Sequence, residues 1–119
     1  MEYAGANRPL FQMKNNQLSE TKPTKSPIGG FNSGVEKNFE TNMIPLEKGD
    51  MIFLSTDGYA DQFGGEKGKK FKYSNLNKLL LENANEKPKI ISEKLYSEFQ
   101  NWKGGLEQVD DVCIIGIRV

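Results

Sequence analysis

Polar and apolar positions change their spacing several times along the chain, and each change marks an element. Leu10-Phe11-Gln12-Met13-Lys14 and Gln17–Thr21 flank Asn15-Asn16. Asparagine tolerates the positive φ that a tight turn demands, so this stretch predicts a hairpin. Strand pattern begins almost at the first residue, which leads us to expect a sheet whose remaining neighbours come from an earlier segment. Lys22–Asn32 contains Pro23, Pro27, Gly29 and Gly30 and reads as a connector. Phe39–Pro45 resumes an extended pattern with Phe39, Thr41 and Met43 on one face, and Leu46–Asp50 is a polar turn. Met51–Leu54 has no polar residue, as expected of a strand covered on both faces, and runs into Ser55-Thr56-Asp57-Gly58.

The second half of the chain changes period. Gly64–Lys70 reads as a basic loop, after which Ser74 is placed to cap a helix with Leu76, Leu79 and Leu80 at helical spacing. Pro88 suits the first turn of a second helix, in which Ile91, Leu95, Phe99 and Trp102 recur every three or four residues. Gly104-Gly105 ends it. Asp110-Asp111 then leads into Val112–Val119, a β-branched run that predicts a central strand. The order is several strands, two helices and a last strand, with no internal repeat.

Composition narrows what this pattern can do. At 119 residues the chain is one small domain or part of one, and its 16 basic and 16 acidic residues cancel. No global field draws it to nucleic acid or to an anionic membrane, and no apolar run is long enough to span one. A single cysteine rules out an internal disulfide and leads us to expect a cytoplasmic setting. Histidine is absent, which removes the usual general base and the usual partner of a Ser or Cys nucleophile. Chemistry here rests on carboxylates.

Two groups of carboxylates stand out. Asp57 follows a buried strand, with Gly58 letting the backbone turn closely, and Asp110-Asp111 precedes another strand. If those strands are neighbours, the carboxylates converge at one sheet edge and need cations between them. Hard oxygen donors favour Mg²⁺ or Mn²⁺, and two such ions roughly 3.5–4 Å apart can activate a water and clamp a phosphoryl group. Spacing alone also admits a plain reading, in which Asp-Gly is a turn and Asp-Asp a solvated strand start.

Tyr3-Ala4-Gly5-Ala6-Asn7-Arg8-Pro9-Leu10, Pro27-Ile28-Gly29-Gly30, Lys48-Gly49-Asp50, Ser55–Gly65 and Val109-Asp110-Asp111-Val112 occur in that order. Together they resemble the second half of a SpoIIE-family, PP2C-like serine/threonine phosphatase domain. The resemblance implies an α/β sandwich of mostly antiparallel sheets flanked by helices, with a two-metal site at one end. It implies that Asp57 and Asp110 are ligands of Mn²⁺ or Mg²⁺, that Asp111 is a secondary or alternative ligand, and that Asp61 touches an additional weaker ion. Gly58 is expected to shape the metal loop, and Tyr59 to line its rim. A complete domain of this family also has an Asp-bearing strand and an Asp-x-x-Gly-His-Gly-like motif, which this sequence lacks. The chain by itself is therefore expected to bind metal weakly and to be inactive.

Other signals are weaker. Gly64–Lys70 lacks the spacing of a phosphate loop and reads as a solvated flap, with Lys67, Lys69 and Lys70 able to meet an acidic phosphoprotein. Cys113 and Trp102 are expected in the core. Arg8, near the start of a strand, is a candidate for holding substrate phosphate or a surface residue. Two functions of different class follow. One is a phosphatase acting on a phosphorylated, anti-anti-sigma-like regulator. The other is a non-catalytic interaction module whose exposed strand edges invite self-association.

Overall fold

The computed structural model describes residues 1–29 and 38–119. Part of the Pro/Gly connector, including Gly30, lies outside the described residues. In chain order the elements are β1 (Glu2–Tyr3), β2 (Leu10–Lys14), β3 (Gln17–Thr21), β4 (Asn42–Met43), β5 (Met51–Ser55) and α1 (Gly58–Asp61). They continue with β6 (Phe63–Gly64), β7 (Lys69–Lys70), α2 (Tyr73–Glu82), α3 (Pro88–Lys103) and β8 (Ile114–Arg118). Among the described residues no helix is long and apolar enough to cross a membrane.

The expected hairpin is present. β2 and β3 pair antiparallel with Leu10 opposite Thr21 and Lys14 opposite Gln17. Asn15 and Asn16 turn the chain with φ of 50° and 58°, which matches the right-handed twist of the flanking strands. β5 pairs with β2 on one side and with β8 on the other, giving a four-stranded antiparallel sheet in the order β3-β2-β5-β8.

Alternation along these strands builds two cores. Phe11, Met13, Met51 and Phe53 point to one face, where α2 and α3 supply Leu76, Leu80, Ile91, Leu95 and Phe99. Leu10 and Ile52 point to the opposite face and are covered by Ile44, Tyr3 and Leu46 beside the small β1–β4 ribbon. β5 is thus buried on both faces, as its unbroken apolar run requires. The segment before it turns inward at Ile44, while Met43 is 71% exposed. The register expected for Phe39–Pro45 is therefore off by one residue, which moves the buried side chains to the other face.

Four further expectations are corrected. Among the described residues there are three helices, because Asp57–Asp61 closes one turn of α1 through the Asp61 N–H to the Asp57 carbonyl, 2.9 Å. α2 begins at Tyr73 after Lys72, whose φ is 74°, with no side-chain cap, so Ser74 lies inside the helix. β8 is an edge strand, with Ile115 and Ile117 each about half exposed. Its β-branched composition specified a strand and said nothing of how many neighbours it has. Cys113, just before it, is exposed rather than in the core. The second long helix begins at Pro88 and is capped by Gly104 with φ 54°, as expected.

Tyr59 is 2% exposed and belongs to the core, not to a rim. Its ring packs edge-on against Phe71 and tilted against Phe99, and its hydroxyl donates to the Leu95 carbonyl at 2.8 Å. Burial pushes the phenol well above its ordinary range, with the charge of Glu98 adding to the effect. The group stays a donor at any ordinary pH and ties α1 to α3. On that side of the sheet a groove of about 530 Å³ runs between α3 and β8, lined among others by Phe53, Leu95, Val112 and Ile114.

Candidate metal and phosphate site

Register brings the two carboxylate segments to the same end of the sheet. Ser55 is opposite Ile114 in the β5–β8 ladder, so Asp57 leaves β5 where Asp110-Asp111 enters β8. Thr56, which sequence reasoning passed over, locks the two together. Its hydroxyl donates to the Asp111 carbonyl at 2.7 Å and accepts from the Cys113 N–H at 3.0 Å. Its own N–H donates to the Cys113 carbonyl at 3.0 Å. A β-branched hydroxyl residue between a buried strand and an aspartate was the only signal for this role, and its partner is 55 residues away.

Gly58 permits the close approach. A Cβ on it would lie 2.9 Å from the Asp111 carbonyl carbon and nearer still to its oxygen. No side chain fits between α1 and the Asp110-Asp111 backbone, so the residue shapes the loop by lacking one. Gln62, fully buried, braces the same region by donating to the Glu107 carbonyl at 2.8 Å, which holds the segment leading to Asp110.

The carboxylates themselves are accessible. Asp57 sits at the position where an aspartate usually caps a helix, yet its side chain makes no capping bond to α1. Instead Oδ2 meets the Arg8 guanidinium, Nη2 at 2.7 Å, with the two side chains 30% and 47% exposed. Arg8 reaches it from a braced loop. Asn7 N–H donates to the Thr24 carbonyl and Thr24 N–H to the Gly5 carbonyl, each at 2.9 Å. The Tyr3 hydroxyl donates to the Arg8 carbonyl. Asp110 Oδ1 accepts from the Asp111 N–H at 2.7 Å, and both residues are exposed. Asp61 pairs instead with Lys70 at 3.1 Å.

Lys70 belongs to a small β6–β7 hairpin where a loop was expected, with Phe63 opposite Lys70 and Gly64 opposite Lys69. Trp102 anchors this flap. Its carbonyl accepts from the Gly65 N–H at 2.8 Å, its indole N–H donates to the Gln62 carbonyl at 3.1 Å, and its ring stands edge-on to Phe71. Lys67, Lys69 and Lys70 are all exposed on the flap. Tyr73, also missed in the sequence, lies beside the site. Burial raises its phenol's pKa, the Arg8 charge and the Ser55 hydroxyl pull it back, and Asp57 and Asp61 add to the rise.

The donor set is oxygen-only and anionic, which suits Mg²⁺ or Mn²⁺ with water in most remaining positions. Asp57, Asp110 and Asp111 fit such an ion in kind and in sharing one sheet end. In number they fall short of a protein cage: among the described residues no three His, Cys, Asp or Glu side chains come together as one.

Comparison with known proteins agrees with the architecture. The family model for stage II sporulation protein E (SpoIIE) matches residues 1–119. The solved SiaA-PP2C domain of Pseudomonas aeruginosa superposes with a TM-score of 0.87 at 27% identity, covering 99% of this chain and 45% of that one. The PP2C phosphatase domain of SpoIIE from Bacillus subtilis, solved with a fragment of its regulatory domain, gives 0.73 at 20% identity, covering 99% and 33%. A separate structure of that phosphatase domain gives 0.66 at 16% identity, covering 98% and 50%. A search of curated proteins returned no match. This chain spans less than half of the SiaA domain it matches. With its full length matched by the family model and its fold shared with these domains, the chain belongs to the SpoIIE family and has the PP2C-like phosphatase fold.

Proposed function

We propose that these residues form part of a metal-dependent protein serine/threonine phosphatase that hydrolyses phosphoserine or phosphothreonine on a regulatory, anti-anti-sigma-like protein in the cytoplasm. The observation that carries the proposal is the Thr56 clasp, which sets Asp57 beside Asp110-Asp111 at one end of the sheet. Asp57 and Asp110 would hold a divalent ion, with Asp111 as an alternative oxygen donor. Asp61 is a candidate for a further, weaker ion once it leaves Lys70. Such an ion supplies positive charge that lowers the pKa of a water and polarises a phosphoryl oxygen. The chain's own contribution is to hold the carboxylates in register, to offer the Arg8 fork to a phosphate oxygen, and to present Lys67, Lys69 and Lys70 to an acidic partner.

With so few protein oxygens at the site, we expect these 119 residues alone to bind Mn²⁺ weakly and to hydrolyse phosphoesters negligibly. Calorimetric titration with Mn²⁺ tests the reading: Asp57→Ala is expected to raise the dissociation constant about tenfold or more, since ligand charge sets affinity. An unchanged constant refutes Asp57 as a ligand.

A second reading has its own observation. Among the described residues β8 has one edge without a partner strand, and Ile115, Ile117 and Val119 are each about half exposed along it. Such an edge invites pairing with another strand, which favours an interaction module that self-associates. Sedimentation over a concentration series is expected to show dimers that Ile117→Lys abolishes; a monomer throughout removes this reading.

A further inference from the structure

We propose that Arg8 is an internal competitor for the divalent cation at Asp57, so that the Arg8–Asp57 ion pair sets the metal concentration at which the site fills. The inference rests on the reading of Asp57 as a metal ligand and adds a control to it.

Three observations carry it. First, the Asp57 carboxylate makes no capping bond to α1, and Arg8 is its sole side-chain partner among the described residues. A carboxylate kept off the backbone and given one cationic partner is poised for exchange of that partner. Second, the arm that carries Arg8 is fixed by its backbone, while among the described residues its guanidinium is held by Asp57 alone. Gly5, Asn7 and the Arg8 carbonyl are all hydrogen-bonded, whereas the side chain is 47% exposed. The guanidinium can swing away without disturbing the loop. Third, a second pair joins the same two charges, with lysine in place of arginine, in a different setting. Lys70–Asp61 is formed at 3.1 Å, with side chains 47% and 45% exposed, on the flap rather than at the β5–β8 junction.

Exchange follows from charge and solvation. An ion pair this exposed is weak and salt-screened, so it does not exclude a doubly charged ion; it must be broken before Asp57 Oδ2 can turn to one. The expected penalty on metal affinity is about two- to fivefold, the range of exposed ion pairs. Once displaced, the guanidinium fork stands free beside the site, where a phosphate oxygen can take the place of the carboxylate.

The test is a Mn²⁺ titration of the 119-residue chain followed by paramagnetic broadening of the Gly58 and Asp111 amide resonances, at low and at high salt. Arg8→Gln is expected to reach half-broadening at about two- to fivefold less Mn²⁺ than the unaltered chain, with the gap narrowing at high salt. Lys70→Gln removes the same charge from the flap and is expected to move the midpoint by less than half as much. In a parallel titration with Mg²⁺, the Arg8 Nε–H resonance is expected to shift toward that of a free guanidinium with the midpoint of metal binding. Broadening with the same or a higher midpoint in Arg8→Gln, an equal shift in Lys70→Gln, or an Arg8 resonance that ignores Mg²⁺ overturns the competition and leaves Asp57 as ligand. No local broadening in any variant overturns both.

Discussion

Gly58→Ala is expected to destabilise the protein by about 1–3 kcal/mol and to separate the two carboxylate segments, because the added methyl group has nowhere to go. The obstacle is backbone: the Asp111 carbonyl carbon lies 2.9 Å from the ideal Cβ position, with Val112 Cγ2 at 3.2 Å. A flexible side chain would rotate away, but this carbonyl is held by the Thr56 hydroxyl at 2.7 Å. Relief therefore comes from lifting α1 or from breaking the clasp, and either moves Asp57 relative to Asp110. Urea denaturation measures the first effect, and the amide shifts of Thr56 and Cys113 report the second. Gly105→Ala is the control, since nothing lies within 4 Å of its Cβ position. A Gly58→Ala protein as stable as the control, with unmoved Thr56 and Cys113 amides, contradicts the close approach.

Trp102→Ala is expected to cost about 3 kcal/mol and to free the flap, the low end of the range for truncating a large aromatic because this one is only half-buried. The ring does two jobs at once. It stands 5.3 Å from Phe71 in an edge-on contact, and its indole N–H satisfies the Gln62 carbonyl. It also fits against glycine: a Cβ on Gly64 would lie 2.6 Å from Trp102 Cδ1, and one on Gly65 would lie 2.9 Å from Cζ3. Removing the indole opens a void under both glycines, so the Gly64–Lys70 segment is expected to become the first site of tryptic cleavage. Trp102→Phe keeps an aromatic ring against Phe71 and loses the indole hydrogen bond, an expected cost of about 1 kcal/mol. Thermal melts and timed proteolysis separate the outcomes. A Trp102→Ala flap that resists trypsin as the parent does would show that the hairpin is held by something else.

Much of the element order was legible because its signals are local. Asn15-Asn16 permits the turn whatever surrounds it, Pro88 and Gly104 bracket α3 through their own backbone preferences, and Met51–Phe53 is too apolar to face water. The carboxylates were legible as residue types at strand ends, and their meeting at one sheet edge followed only on the condition that their two strands were neighbours. The resemblance of ordered motifs supplied the family, which no single motif carried.

The rest depended on partners distant in sequence. α1 is one turn long, too short to show a period, and Ser74 looked like a cap because Lys72 with positive φ cannot be foreseen. Tyr59 turned inward because Phe71, Phe99 and the Leu95 carbonyl offer it a partnered, buried place. A β-branched run looks the same at the edge of a sheet as in its centre, so β8 and the exposed Cys113 were misjudged for the same reason. By itself, then, the sequence determined strands, turns, the α3 boundaries and the oxygen-only chemistry available to the chain, since these follow from each residue's own shape and charge. Only the tertiary structure decided that Thr56 joins the two carboxylate segments, that Gly58 is filled by the Asp111 backbone, and that Asp57 faces Arg8. Those are distances between chain segments, and they exist only once β5 and β8 have paired.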